Sequence, residues 1–571
     1  MKKSAWHNKT SKLLPVIAIN TVALFAVAII IIFAGVKNAG KVHETVNTIN
    51  NDNNASIIVS TDPPLPSQSN GISGPSPGPP EINQAGLSPI QSCLPEVFNF
   101  KWDVIKDGKV LDDYNSPSLV EFPEASSYTE LNGIVCFRGN NFRDSASFGF
   151  ADVKEQKLVK AWMAKTGYID IWTGVGWTGQ PAIVKWDDKL KSAMNILPAK
   201  KSKNALKEVI YATLDGKIYF LDLDDGKPTR IPIDTGYPHK GSVAIDPRGY
   251  PLLFAGQGIP EKNGKKGPIG YRIYSLLDQR LLFFLNGMDS DALRRWGAFD
   301  SGGLIDAKTD TFIEFGENGL LYIIKLNTDF NAEAKSISIK PESAKYRYYS
   351  KNPVRLGTEN SPVAYKNFIY FANNDGLLQC VDLNTLKPVW LRDLGDDTDS
   401  SLVLEKTDNG GVFLYTACEV DIQGENGFSY IRKINALTGE LIWERKEKCY
   451  YDSHTNGGAL ATPVLGKYDI AGLIVFNIAK TNENNKGGKL IALSKDSGEK
   501  VWEVVLEYYC WSSPVDVYTK EGKSYLIVCD SAGYMRLLEG KNGKQLDCIS
   551  LEANIEASPA VYENMAVVGT R

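Results

Sequence analysis

Apolar and polar positions alternate over short runs through most of the chain and break at Gly, Asn, Asp or Pro, the pattern of half-buried strands joined by turns. A stretch such as Asp375-Gly376-Leu377-Leu378-Gln379-Cys380-Val381-Asp382 is followed by a turn and a strand with a Trp ending. Thr438-Gly439-Glu440-Leu441-Ile442-Trp443 returns as Ser497-Gly498-Glu499-Lys500-Val501-Trp502 and, more loosely, as Leu386-Lys387-Pro388-Val389-Trp390. One such unit cannot bury its apolar face alone, so the repeat predicts a propeller or a solenoid.

Each unit opens on Ser/Thr-Pro-Val. The motif is plain at Ser361-Pro362-Val363, Thr462-Pro463-Val464, Ser513-Pro514-Val515 and Ser558-Pro559-Ala560. It is degenerate at Gln180-Pro181-Ala182, Ser242-Val243-Ala244, Gly303-Leu304-Ile305 and Ser401-Leu402-Val403. Eight lead-ins, each followed by a second apolar run, an Asp/Asn-Gly turn with a third strand, and a Gly-x-x-x-Trp strand, predict an all-β, eight-bladed propeller of four-stranded blades over residues 96–571. Its hub is expected to be open to solvent. The eighth unit stops early, at Arg571. Its fourth strand is expected from Lys157-Leu158-Val159-Lys160-Ala161-Trp162, which closes the ring and removes open edges. For the third strand, truncation at Arg571 is preferred over filling by Phe98-Asn99-Phe100-Lys101-Trp102-Asp103-Val104.

Ahead of the repeats, residues 13–36 carry no charge and, at about 1.5 Å per residue, span the ~30 Å hydrocarbon layer as one transmembrane helix. Residues 1–12 hold Lys2, Lys3, Lys9 and Lys12 and no acid, which places the amino end in the cytoplasm and the propeller outside. An uncleaved signal anchor is favoured over a cleaved signal, whose apolar core is shorter and ends in a small-x-small site. Residues 37–95 are rich in Pro, Ser and Gly and read as a disordered linker.

Net charge is -4 and the pI near 5.8, which argues against nucleic acid as a partner. The eight cysteines form no C-x-x-C pair, so zinc and c-type haem lack support. Cys449 and Cys510 follow the Trp of successive repeats at similar offsets, which leaves a bridge between neighbouring blades open alongside buried thiols. The folded part has only His239 and His454, and no nucleophile elbow, phosphate loop or H-E-x-x-H occurs. Asp222-Leu223-Asp224-Asp225-Gly226 lacks a downstream bidentate glutamate and reads as a turn.

From Cys136 to Arg571 the repeats resemble the pyrroloquinoline-quinone-type, quinoprotein-like propeller family, in the style of its non-catalytic eight-bladed members. Phe137-Arg138-Gly139-Asn140-Asn141-Phe142-Arg143 is similar to the segment that leads into the first blade of many such propellers. For the quinone-using enzymes the resemblance implies a vicinal cysteine pair, a Glu/Asn/Asp calcium site and an aspartate base. No two cysteines are adjacent here, and Glu359-Asn360 and Asp399 supply the rest only superficially, on repeat positions where a polar residue is expected anyway. No cofactor and no metal is therefore expected, with quinone and calcium as the alternative.

Residues just ahead of each first strand ring a propeller's channel mouth. Here they are Trp177, Lys240, Asp300 beside Ser301, Glu359, Asp399, Leu460, Trp511 and Glu556. An acidic ring with two indoles would attract a cation, a basic peptide or a sugar, and Ile171-Trp172-Thr173-Gly174-Val175-Gly176-Trp177 adds aromatic surface. The expectation is a membrane-anchored, extracytoplasmic, non-catalytic module that binds an envelope protein or glycan, with no catalytic residues. A quinoprotein oxidoreductase and a carbohydrate-binding cell-wall sensor are the alternatives.

Overall fold

In the computed structural model, which describes residues 87–571 apart from 178, 452–454 and 483–485, eight antiparallel sheets follow one another as the blades of a propeller. Blade 4 shows the unit: Val363–Tyr365, Phe368–Ala372, Leu377–Asp382 and Lys387–Asp393 pair in sequence order, from the hub outward. The first strands of the eight blades begin at Ala182, Ala244, Leu304, Val363, Val403, Val464, Val515 and Ala560, each directly behind a lead-in. The expected transmembrane segment 13–36, most of the linker and His454 lie outside the described residues. Among the described residues no helix is long and apolar enough to cross a membrane.

The Trp endings hold neighbouring blades together. The indole of Trp390 lies against Gly439 of blade 5 and donates Nε1–H to Ala436 O at 2.9 Å; Trp443 does the same to blade 6 through Gly498 and Lys495 O at 3.0 Å. Gly498 has φ +72°, and a Cβ there would stand 2.7 Å from the Trp443 ring, so the turn needs glycine for its conformation and for the indole's approach.

Blade 8 consists of Ala560–Tyr562 and Met565–Val567, with Ser147–Phe148 pairing in parallel on its inner edge. Residues 157–162 form no strand, unlike the expectation, yet they occupy the outer seam. Leu158 N–H donates to Asp547 Oδ2 of blade 7 at 2.6 Å, and Trp162 Nε1–H donates to Leu223 O of blade 1 at 2.8 Å, its ring over Gly226. The closure thus keeps the repeat's indole-on-glycine joint without its ladder. Val209 of blade 1, Leu537 of blade 7 and Val567 of blade 8 share one apolar core.

Three further details complete the fold. Trp102–Lys106, which overlaps the end of the alternating segment, pairs with Glu342–Tyr348 on the outer edge of blade 3 and does not enter blade 8. Chain packing begins ahead of residue 96: Ser88 and Ile90 donate to Leu437 O and Thr438 O of blade 5, and Cys93 is buried there. All eight cysteines are free thiols, Cys449 and Cys510 included. The Asp222–Asp225 turn is held by Lys200 and Lys203, which neutralise Asp222, Asp224 and Asp225.

The hub is filled rather than open. Residues 136–143 thread it and carry two arginines, Arg138 and Arg143, that are fully buried. Arg138 donates to Pro514 O of blade 7 at 2.8 Å, to Pro463 O of blade 6 at 3.0 Å and to Arg143 O at 3.2 Å. Arg143 donates to Pro362 O of blade 4 at 2.9 Å, to Gly302 O of blade 3 and to Phe137 O. The prolines of the lead-ins thus present free carbonyls toward the axis, and two guanidinium forks collect them. Around this plug the N–H groups of Gln180, Gly302, Ser361, Thr462 and Ser513 donate to the hydroxyls of Ser242, Ser361, Ser401, Ser513 and Ser558 in the following blades, at 2.7 to 3.1 Å.

Candidate functional site

Four positions ahead of their first strands, blades 2 to 5 contribute Lys240, Asp300, Glu359 and Asp399 in succession. Lys240 Nζ pairs with Asp300 Oδ2 and lies 3.8 Å from Glu359 Oε2. The turns between second and third strands add Glu317 in blade 3 and Asn374 in blade 4, the segment after blade 5's second strand adds Glu419, and the chain leading into blade 5 adds Asp397. Carboxylate oxygens of Asp300, Glu317 and Glu359 lie within 4.8 Å of one another, and so do those of Asp397, Asp399 and Glu419.

These acids have little company of opposite charge. Arg294 Nη1 stands 3.5 Å from Glu317 Oε2, and Arg355 Nη1 stands 3.9 Å from Asp397 Oδ2 while binding Asp421 at 2.8 Å. Among the described residues, Asp300 Oδ1, Glu317 Oε1, Asp397 Oδ1, Asp399 Oδ1 and Glu419 Oε1 are buried without a hydrogen-bond partner. Burial and the neighbouring carboxylates therefore act in the same direction. Burial, then Glu359, pushes Asp399 up to about 8. Burial and Asp399 hold Asp397 and Glu419 well above the usual carboxylate range, and burial and Glu359 do the same to Glu317. Burial opposes the charge on Lys240, but Asp300 and Glu359 outweigh it and raise its pKa.

Of the residues expected at the mouth, Lys240, Asp300 and Glu359 meet directly, and Asp399 joins them electrostatically. Glu556 is held by Arg571 at 2.7 Å, and Arg571 in turn lies over the Trp172 ring. Trp177 is buried, which removes its face from a ligand, and Trp511 packs against Tyr509 at 5.3 Å between ring centres. Among the described residues, none of these three hydrogen-bonds or pairs with the carboxylates. Sequence reasoning missed Glu317, Asp397 and Glu419; the signal for Glu419 is a charge set in the apolar run Ala417-Cys418-Glu419-Val420. His239 is buried, its ring on Thr235 Oγ1 and Gly256 O, and burial lowers its pKa to about 4, so it serves as a neutral framework group.

Of the donors that the family resemblance implies for calcium, Asn360 is engaged elsewhere. Asn360 is fully buried, donates Nδ2–H to Ala372 O at 2.6 Å and Thr398 O at 2.7 Å, and accepts from Ala372 N–H. Its amide belongs to the joint between blades 4 and 5.

No family model matches the sequence, and no curated protein matches it. Among solved structures the chain is similar to BamB from Moraxella catarrhalis, at 15% identity and a TM-score of 0.40 over 68% of this chain and 96% of that one. It is also similar to a quinohemoprotein alcohol dehydrogenase from Pseudomonas putida HK5, at 12% identity and a TM-score of 0.48 over 75% and 74%. A quinohemoprotein alcohol dehydrogenase from Comamonas testosteroni matches at 11% identity and a TM-score of 0.42 over 77% and 80%. At these identities the likeness is one of fold, and the chemistry of the mouth rests on its own residues.

Proposed function

We propose that the chain is a binding module, held outside the cell by residues 13–36, whose acidic channel mouth receives a cationic group of an envelope partner. One observation carries this reading. The chain's own half-buried Lys240 ammonium is already paired with Asp300 and Glu359, so the mouth is built to stabilise a partly desolvated cation. The solid hub behind it makes a dead-end funnel, and the buried, unpartnered oxygens of the neighbouring triad offer a second seat of the same kind.

The test uses the full chain in detergent with hexa-arginine, hexa-lysine and hexa-glutamate peptides, read by fluorescence anisotropy at low and high salt. Binding of the basic peptides alone, weakened by salt and reduced about tenfold in Glu359→Gln, is the expected result. Equal binding by wild type and Glu359→Gln, or preference for the acidic peptide, overturns it. Stoichiometric uptake of pyrroloquinoline quinone with calcium, accompanied by alcohol-dependent dye reduction, would instead establish the oxidoreductase alternative.

A further inference from the structure

We propose that Asp397, Asp399 and Glu419 form a site for a divalent, oxygen-seeking cation of the calcium type, separate from the triad that Lys240 fills. The proposal rests on the reading of the mouth as a cation receptor and names the ligand of its second seat. The two triads have the same geometry, three carboxylates with oxygens within 4.8 Å. They differ in charge balance. In the first, Lys240 reaches Asp300 and Glu359. In the second, the closest ion pair among the described residues is Arg355 with Asp397 at 3.9 Å, and that guanidinium is committed to Asp421 and to Asn374 O.

The second seat shows more than accumulated acid. Glu419 is fully buried; Asn456 Nδ2 donates to its Oε2 at 2.8 Å and so fixes the carboxylate, leaving Oε1 buried with no donor among the described residues. Asp397 Oδ1 and Asp399 Oδ1 are in the same state. Asn374, 8% exposed, stands at the other triad, where its Nδ2 donates to Glu359 Oε1 at 3.3 Å and its Oδ1 is buried without a partner among the described residues. Acceptors facing acceptors in a buried chamber are destabilising unless a cation or protons lie between them.

The donors are all oxygen, with no His or Cys in the set, which favours calcium-type ions over zinc or copper. Three donors, two from the chain leading into blade 5 and one from the short strand Glu419–Val420, leave room for backbone oxygens and water to complete a coordination number of about 6–8. The set is distinct from the Glu359, Asn360 and Asp399 grouping, since Asn360 is consumed by the blade joint and two of the three ligands lie outside it.

The experiment is calorimetric titration of the metal-stripped full chain with calcium alone, alongside Glu419→Gln, Asp397→Asn and Glu317→Gln, with far-ultraviolet dichroism on each. The expected result is one ion per chain, with affinity at least about a hundredfold lower in Glu419→Gln and Asp397→Asn and unchanged within about threefold in Glu317→Gln. Absence of calcium uptake by wild type, or uptake lost in Glu317→Gln and kept in Glu419→Gln, overturns the assignment. If Glu419→Gln fails to fold, Asp399→Asn takes its place, and wild-type stoichiometry decides on its own whether a site exists. The basic-peptide assay reads Glu359 independently, so loss of calcium uptake with peptide binding intact refutes this site and spares the cation-receptor reading.

Discussion

Replacing Arg138 by Met removes three hydrogen bonds at the hub: to Pro514 O, Pro463 O and Arg143 O at 2.8, 3.0 and 3.2 Å. Each buried carbonyl left short of a donor costs about 1–3 kcal/mol, and part is returned because a guanidinium no longer has to be desolvated, as burial already lowers the Arg138 pKa. The net loss is about 3–5 kcal/mol, the range found when one side of a buried charged interaction is deleted. With an unfolding entropy of about 2.1 cal/mol/K per residue, a propeller of this length loses about one degree per kcal/mol, so Tm should fall by about 3–5 °C. Arg138→Lys tests the geometry, because one ammonium cannot span the carbonyls of blades 6 and 7 as the planar fork does. It should recover less than half of the loss. Lys154→Met, at a surface pair with Asp152, serves as the control and should stay within about 1 °C. Scanning calorimetry reads all three. An Arg138→Met protein melting within about 1 °C of wild type would show that the hub is held by the blades alone.

Glu314 lies fully buried beneath the mouth, facing Ser301, Tyr271 and, at longer range, Arg143, and burial raises its pKa to about 8. A carboxyl with a folded pKa above its unfolded value binds more protons in the folded state between about 4.5 and 8, so stability contributed there falls as pH rises through that window. Melting temperature should therefore rise by several degrees from pH 8 to pH 5.5, and Glu314→Gln should flatten the slope. Gly226→Ala puts a Cβ 2.5 Å from the Trp162 ring at φ +68°; it should lower stability by about 1–3 kcal/mol and open residues 150–165 to limited proteolysis, whereas unchanged protection would mean that the Trp162 joint does not close the ring. Cys548 is half-buried and the other seven thiols are buried, so Ellman's reagent should titrate one thiol in the native protein and eight after denaturation.

The blade count was legible because each lead-in joins a proline or small residue to an apolar one at the start of an inner strand, a signature that survives even in Gly303-Leu304-Ile305. The indole joints were legible for a similar reason, since Trp390, Trp443 and Trp162 each need a glycine turn one blade on. The plug was hidden because Arg138 and Arg143 bind backbone carbonyls, which leave no trace in residue type, across separations of up to 376 positions. Alternation at 98–104 correctly indicated a strand but could not name its neighbour, since pairing on blade 3 depends on which edge is free. Half of the mouth was missed because Glu317 and Asp397 sit in turns, where an acid reads as solvated until the loops of neighbouring blades fold over it.

Blade 3 shows why the same positions carry both the fold and the chemistry. Gly302 O accepts from Arg143 in the plug, Ser301 Oγ donates to buried Glu314, and Asp300 binds Lys240 at the mouth, so three consecutive residues connect the hub to the funnel. Such a column cannot relax one layer at a time: moving Asp300 toward a ligand pulls on Ser301 and, through Gly302, on the guanidinium shared with blade 4. The carboxylates are thus held in place by a rigid axis rather than by pairing among themselves, which is how buried, unpartnered acids persist in a folded protein. Loosening the axis should then relax the acids as well. In Arg143→Met, the pH dependence of melting should weaken along with stability; a variant that is destabilised yet keeps the full wild-type pH slope would show that hub and mouth are mechanically independent.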